Sequence, residues 1–246
     1  MPLGRLGELV HALGFEGIEL PVRPGYQVEP QTVGQLPQAV RDLAASGVRI
    51  FSVAGPTDET TIAACAEAGV PIIRVMASIQ QGESYLAAEA RFRREYDALV
   101  PLLEKYGVKL GVQNHCGRFV ANGAALRRLV EPYDPLRIGI VWDAAHEALN
   151  GGLPDLAMDA VWSHLCMVNL KNAYWQRTNG PEAEHAGLKT YWTSGRHGLA
   201  SWPTVVAELM ARGYAGVVCL TAEYSDHDAV DRLIAEDIVF ARSLFG

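Results

Sequence analysis

The stretch LGVQNHCGRF, residues 110–119, begins as an apolar run that favours a β-strand and then changes abruptly to glutamine, asparagine, histidine and cysteine. A helical segment precedes it and ends at Gly107, where a helix C-cap residue is expected. The same order of helical segment, glycine, apolar run and polar tip recurs along the chain. Such a repeat indicates alternating strands and helices, with polar groups gathered where the strands end.

Seven short runs fit buried strands, and segments of helical period separate them. Strands that alternate with helices in this way favour a parallel sheet and the α/β class. With 246 residues, we expect a single (β/α)8 TIM-barrel-like domain over residues 1–246. The seven runs are GFEGIEL, VRIFSVAG, PIIRVMAS, VKLGVQNH, RIGIVWD, LCMVNLKN and GVVCLTAEY.

The first strand of the expected barrel is not found. The N-terminal stretch GRLGELVHALGF has a helical pattern and leads directly into GIEL. Either the start codon is placed too late, or the barrel is open between its last strand and GIEL. An open barrel would expose two sheet edges that need cover, and a homodimer contact is one candidate for that cover.

Charge and composition limit the partners. The formal net charge is −7 and the sequence pI is about 5.5, which gives no basic footprint for nucleic acid or an anionic membrane surface. No apolar run approaches the roughly 20 residues that span a bilayer, and no signal peptide is recognisable. The four cysteines show no CxxC pairing and are expected as reduced thiols. We expect a cytoplasmic protein with a small-molecule partner.

Polar residues end several of the predicted strands. Because barrel enzymes carry their catalytic groups at the C-terminal ends of the strands, we expect these residues at that end, called the mouth here. Side chains two residues apart share a side of a strand, so Gln113 pairs with His115, and Thr221 pairs with Glu223. The other polar tips are Glu19, Asp143 with His146, and Asn169 with Lys171.

These motifs resemble the xylose isomerase-like TIM barrels, a family that includes sugar-phosphate isomerases and epimerases, inosose dehydratases and endonuclease IV-type enzymes. The resemblance covers nearly the whole chain. It depends on GFEGIEL, the QNH strand end, WDAAH, VNLKNA and GLASWPTVVAELMARGYAGVVCLTAE. WDAAH and the GYAG ending are its most specific signals.

The resemblance implies a divalent metal held by Glu, Asp, His and Glu from four successive strand ends. The matching positions are Gln113, Asp143, Asn169 and Thr221, so only the aspartate is kept. Neutral amide and hydroxyl oxygens compensate little of a metal's dehydration. We therefore expect no tightly bound Mn²⁺, Mg²⁺ or Zn²⁺ at these positions. A displaced metal site could use His115, Asp143, His146 and Glu223.

Three residues are the catalytic candidates. The resemblance implies that His146 contacts substrate, and it matches Lys171 to the lysine of an HxKD-like strand end. If no metal binds it, Glu223 is the candidate base, because partial burial at a mouth would raise the pKa of its carboxylate into a useful range. Lys171 could instead be the ion-pair partner of Asp143 or Glu223, and it is a candidate to fill the metal's place beside Asp143.

The segment of residues 174–198 is longer than an ordinary connection. Its aromatic residues favour an ordered cover over a sugar site, and its basic residues could meet a phosphate or carboxylate. A solvated loop is the alternative. For Glu19, the alternative to a substrate contact is a salt bridge with Arg23. The residues expected to bind substrate are Glu19, Gln113, His115, Asn169, Trp175 and Arg196.

Three hypotheses for the function follow, each from a different class. The first is an isomerase or epimerase of a sugar, sugar phosphate or polyol that transfers a proton next to a carbonyl. The second is a catalytically degenerate, metal-free barrel that binds a carbohydrate-like ligand without turnover. The third, an abasic-site endonuclease, needs a zinc cluster rich in His and Glu and a basic surface, and the sequence has neither.

Overall fold

The computed structural model describes residues 1–246 and contains a parallel seven-stranded sheet that curves into a nearly closed barrel. A separate antiparallel hairpin lies between the sixth and seventh barrel strands. In chain order the strands are β1 (Gly17–Pro21), β2 (Arg49–Ala54), β3 (Ile72–Met76), β4 (Lys109–Gln113), β5 (Ile138–Asp143), β6 (Leu165–Leu170), the hairpin strands β7 (Asn172–Arg177) and β8 (Leu188–Thr193), and β9 (Val217–Leu220).

Nine α-helices surround the sheet or connect its strands. They are α1 (Leu3–Ala12), α2 (Leu36–Ala44), α3 (Glu59–Ala68), α4 (Tyr85–Tyr106), α5 (Gly123–Val130), α6 (Ala144–Leu149), α7 (Pro154–Val161), α8 (Trp202–Ala211) and α9 (Val230–Phe245). Short 3-10 turns occupy Pro30–Gln35, Trp162–His164 and His227–Ala229. No helix combines the length and the apolar composition that crossing a lipid bilayer requires.

The expected parallel α/β barrel with seven strands is confirmed, and all seven predicted runs form its strands. The sheet order is β1-β2-β3-β4-β5-β6-β9, so β1 and β9 are its two edges and do not pair with each other. We call the opening between them the seam. All four residues of β9 are only partly buried, whereas every residue of β5, in the middle of the sheet, is buried.

Side chains of β5 alternate between the two faces of the sheet. Ile138, Ile140 and Trp142 belong to the main apolar core, whereas Val141 faces the barrel interior. There, a Cβ added to Gly111 of β4 would lie 2.7 Å from Val141 Cγ2. Only a residue without a side chain fits at that point, which shows how tightly the interior is packed below the mouth.

Glycines end two of the helices as the pattern predicts. Gly69 follows α3 and Gly107 follows α4, and both adopt the left-handed conformation that other residues avoid. Side chains cap the opposite ends, where Asp58 and Ser84 accept backbone N–H groups. These caps set the lengths of the two helices, and β3 and β4 begin within three residues of the glycines.

Residues 174–198 depart from a simple loop. Most of them form the β7–β8 hairpin, in which the Tyr174 and Tyr191 rings stack with centroids 5.1 Å apart.

The helix α6 was also not predicted, because it begins immediately at the polar tip of β5. All four cysteines are free thiols, as expected.

Candidate active site at the barrel mouth

A cavity of about 1200 Å³ extends from the mouth into the seam. Its mouth part is lined by residues from several strands, and its seam part by apolar side chains of α1, β1, β9 and α9. Seven of the residues predicted for the site line the cavity: Glu19, Gln113, His115, His146, Asn169, Lys171 and Glu223.

Asp143 is fully buried where β5 ends, and it caps α6. Its Oδ1 accepts the backbone N–H groups of Ala145 and His146 at 3.0 and 3.1 Å. Its Oδ2 accepts the Gln113 amide at 2.9 Å. Burial raises the pKa of Asp143, while the positive charge of Lys171 acts in the opposite direction. The carboxyl group is therefore held by the protein on both oxygens.

His146 is buried, lines the cavity and has one ring nitrogen without a partner. Its Nδ1 accepts the backbone N–H of Cys116 at 3.2 Å. Burial, and secondly the positive charge of Lys171, lower the pKa of His146 to about 2. The ring is therefore neutral at physiological pH. A neutral ring that accepts at Nδ1 carries its proton on Nε2. This N–H has no hydrogen-bond partner, and Asp143 Oδ2 lies 3.9 Å from Nε2.

Lys171 and Glu223 form an ion pair at the mouth. The Lys171 Nζ lies 2.5 Å from Glu223 Oε2 and 3.6 Å from the centroid of the Trp192 ring. The sequence assigned Glu223 to the same strand face as Thr221, but β9 ends at Leu220. Ala222 adopts a positive φ of 48°, so irregular backbone after the strand, and not strand alternation, places Glu223.

Arg74 of β3 is a site residue that the sequence reasoning missed. Its Nε lies 2.8 Å from both carboxylate oxygens of Glu19, and its Nη2 lies 2.6 Å from Glu19 Oε1. Its Nη1 donates to Gln113 Oε1. Burial alone would lower the pKa of Arg74, but the Glu19 carboxylate outweighs it and raises that pKa. Glu19 thus pairs with Arg74 and not with Arg23.

The signal for Arg74 was present in the sequence. It is the one charged residue in the apolar run PIIRVMAS, and alternation with the fully buried, core-packed Ile73 turns it toward the barrel interior. An arginine inside a barrel needs a partner. Glu19 is that partner, and Ser52 donates a further hydrogen bond to it at 2.9 Å.

The four positions that match the family's metal ligands do not fit a divalent metal. The Gln113 side chain already bridges Arg74 and Asp143, and Asn169 Nδ2 points at Asp143 Oδ2 from 3.5 Å. At 4 Å and an effective dielectric constant near 20, two unit charges interact by about 4 kcal/mol. A divalent metal ion bound next to the Arg74 guanidinium carries two positive charges, so the repulsion between them would be about twice that energy.

The displaced metal set does not assemble either. One group of three or more metal-binding side chains has its ligand atoms within 4.8 Å of one another, namely His115, Cys116 and His146. It contains neither Asp143 nor Glu223. Burial raises the pKa of the Cys116 thiol, and the His146 Nδ1 lone pair is already used. This group is therefore not prepared as a metal site.

Two of the expected substrate-binding residues lie outside the cavity. Trp175 is exposed on the hairpin and donates its indole N–H to Leu149 O at 3.0 Å. The Arg196 guanidinium lies 3.7 Å from the centroid of the Phe240 ring. The hairpin residue that reaches the site is Trp192, which contacts Lys171 and has its ring centroid 5.2 Å from that of His146. The sequence identified the aromatic segment but not this member of it.

The chain belongs to the family of xylose isomerase-like TIM barrels, whose profile matches residues 8–244. No curated protein sequence matches it significantly. Among solved structures, 3-keto-D-glucoside 4-epimerase from E. coli is similar, with 12% identity and a TM-score of 0.74 over 98% of this chain and 94% of that one. The fold resemblance recognised in the sequence is therefore confirmed.

Other similar structures carry different activities. The probable 3-DHS dehydratase AsbF from Bacillus anthracis is 15% identical, with a TM-score of 0.72 over 98% of this chain and 93% of that one. D-psicose 3-epimerase from Clostridium cellulolyticum H10 is 13% identical, with a TM-score of 0.71 over 100% of this chain and 94% of that one. At these identities the likeness shows a shared fold, and the chemistry must be argued from the site.

Proposed function

We propose that the protein is an isomerase or epimerase of a sugar, a sugar phosphate or a polyol that carries a carbonyl, and that it transfers a proton on the carbon next to that carbonyl. The observation that carries this proposal is the Lys171–Glu223 ion pair, 2.5 Å apart, in one cavity with the unpartnered Nε2–H of His146. A base and two hydrogen-bond donors are the parts that an enolising site needs.

Each group has a distinct role in this proposal. The Glu223 carboxylate takes the proton from the carbon, and the electron pair of the C–H bond moves to the carbonyl oxygen as an enediolate forms. The neutral His146 N–H and the Lys171 ammonium stabilise the developing oxyanion. Return of the proton by Glu223 to the neighbouring carbon gives the isomer, whereas protonation of the enediolate by solvent water on the opposite face gives the epimer and leaves Glu223 to release its proton to solvent.

A second candidate is a barrel that binds a carbohydrate-like ligand without turnover. It is favoured by the altered metal positions, because Asp143, the one family ligand that is kept, is already held by Gln113 and the start of α6. The two candidates predict the same cavity and similar binding. They differ in whether a C–H proton is exchanged.

The deciding experiment incubates the protein in D₂O with a panel of aldoses, ketoses, polyols and their phosphates, and follows deuterium uptake by NMR. Uptake next to a carbonyl supports the enzyme. Binding in calorimetry without uptake supports the second candidate, and neither binding nor uptake contradicts both. Glu184→Gln is a matched control for Glu223→Gln, because the Glu184 side chain is 91% exposed and far along the hairpin from the cavity.

The setting of the protein is part of the proposal. Four unpaired thiols fit a reducing compartment, so we place the protein in the cytoplasm. The net charge of −7 favours a small-molecule partner over nucleic acid or a membrane surface.

A further inference from the structure

We propose that the Arg74 guanidinium is a built-in cation that takes the place of a divalent metal, so that the barrel binds its ligand without one. This inference does not rest on the proposed proton transfer, because a binding protein and an enzyme would use the same cation. It rests on the contacts of Arg74 with Glu19 and Gln113.

The contacts form one chain across the floor of the mouth. Glu19 of β1 holds Arg74 of β3, Arg74 holds Gln113 of β4, and Gln113 donates to Asp143 of β5. The first two side chains are nearly buried, at 14% and 13% exposure. The acceptor oxygens of Glu19, Gln113 and Asp143 in this chain each accept a hydrogen bond from the protein. A barrel that binds a metal would instead need carboxylate oxygens that are free to coordinate it.

Arg74 also has donors left for a ligand. A guanidinium carries five N–H groups, and its three nitrogens each use one of them on Glu19 or Gln113. One N–H on each terminal nitrogen is left, and Arg74 lines the cavity. These groups suit a carbonyl or hydroxyl oxygen, which is the kind of atom that a metal would otherwise bind.

The inference predicts a gain of metal binding when the cation is removed. Arg74→Met keeps most of the side-chain volume but frees the Glu19 carboxylate and Gln113 Oε1, with Asp143 beside them. These are hard oxygen donors of the kind that Mn²⁺ accepts. We expect the variant to bind Mn²⁺ at least about tenfold more tightly than the wild type, which corresponds to about 1.4 kcal/mol.

Metal content after dialysis against Mn²⁺, together with titration of free Mn²⁺ by electron paramagnetic resonance, measures this gain. Arg74→Lys is the first control, because it keeps the charge and should stay metal-free. Glu19→Gln/Arg74→Met removes the freed carboxylate and should lose the gain. Arg23→Met removes an exposed arginine at the rim of the cavity and should behave as the wild type.

Two results would overturn the inference: tight, stoichiometric Mn²⁺ in the wild type, or an Arg74→Met protein that binds Mn²⁺ no better than the wild type. If Arg74→Met is recovered unfolded, it is refolded with and without Mn²⁺. Recovery only with Mn²⁺ supports the inference, because the metal then replaces the missing charge. Failure to fold under both conditions counts against it.

Discussion

The Lys171 ammonium is almost buried, with 5% of its side chain exposed, and it lies 2.5 Å from the carboxylate of Glu223, whose side chain is 52% exposed. The pair therefore joins the protected interior of the mouth to its open rim. A ligand that enters the cavity meets the carboxylate first and the ammonium behind it. This order suits a solvent-accessible base next to a buried positive charge.

Replacing the base tests this arrangement directly. Glu223→Gln keeps the shape and a hydrogen-bond partner for Lys171 but removes the proton acceptor. We expect deuterium exchange into an active substrate to slow by about 10²- to 10⁴-fold, the usual contribution of a positioned acid or base, with little change in Kd. Exchange that continues at the wild-type rate would exclude Glu223 as the base.

Removing the partner of Arg74 should cost much more stability than removing an exposed charge. Glu19→Gln leaves the nearly buried guanidinium without its carboxylate, and breaking a buried pair costs about 3–5 kcal/mol. Urea unfolding should show a lower midpoint with an unchanged slope, and Glu19→Gln/Arg74→Met should recover part of the loss. A cost below about 1 kcal/mol, typical of exposed pairs, would mean that water screens the pair.

His146 should make stability fall in mild acid. Its pKa is lowered from 6.5 to about 2 in the folded protein, so below pH 6.5 the unfolded chain takes up a proton that the folded chain refuses. The contribution of neutral His146 to the free energy of unfolding is fully present above pH 6.5. It is lost as the pH falls, by up to about 1.4 kcal/mol per pH unit. The lowered pKa of His115 acts in the same direction, and the raised pKa of Asp143 acts in the opposite one.

The contribution of His146 is isolated by difference. Urea unfolding of the wild type and of His146→Gln at a series of pH values should show that the variant loses stability less steeply below pH 6.5. His185→Gln makes the same change at a side chain that is 91% exposed and should leave the slope unchanged. Parallel slopes for the wild type and His146→Gln would show that His146 is protonated in the folded protein.

The seam predicts uneven protection of backbone amides. In β4 the strand is bonded to neighbours on both sides, whereas β1 and β9 are bonded on one side only. Amides of β1 and β9 that face the seam should therefore exchange with D₂O much faster than those of β4. Protection equal to that of β4 would show that the seam is covered in solution, and sedimentation would then test a homodimer as the cover.

Sequence periodicity was sufficient for most of the fold. All seven barrel strands could be recognised, because alternation and glycine stops are local properties of the chain. The hairpin was not recognised as such, since Leu188–Thr193 and Asn172–Arg177 have aromatic and polar residues on both faces. Their pairing depends on the connection between them and on what the hairpin covers.

The candidate site was predictable as a set of strand tips but not as a network. Position along a strand indicates that Gln113 and Asp143 reach the mouth, but it cannot show which partner each side chain takes. Lys171 was considered for both Asp143 and Glu223, and the structure pairs it with Glu223. Arg74 pairs with Glu19 and contacts Gln113, and these partners depend on distances between different strands.

The seam also affects the mechanics of the barrel. A barrel whose strands are hydrogen bonded all the way round cannot widen unless backbone hydrogen bonds break. In this barrel β1 and β9 are not paired with each other. Its two ends can spread while every ladder between neighbouring strands stays intact. Arg242 of α9 contacts the Gly14 carbonyl just before β1, which makes a side-chain clasp across the split. This contact lies before β1, at the end of the barrel opposite the mouth, so the sheet alone leaves the two edges free to separate at the mouth.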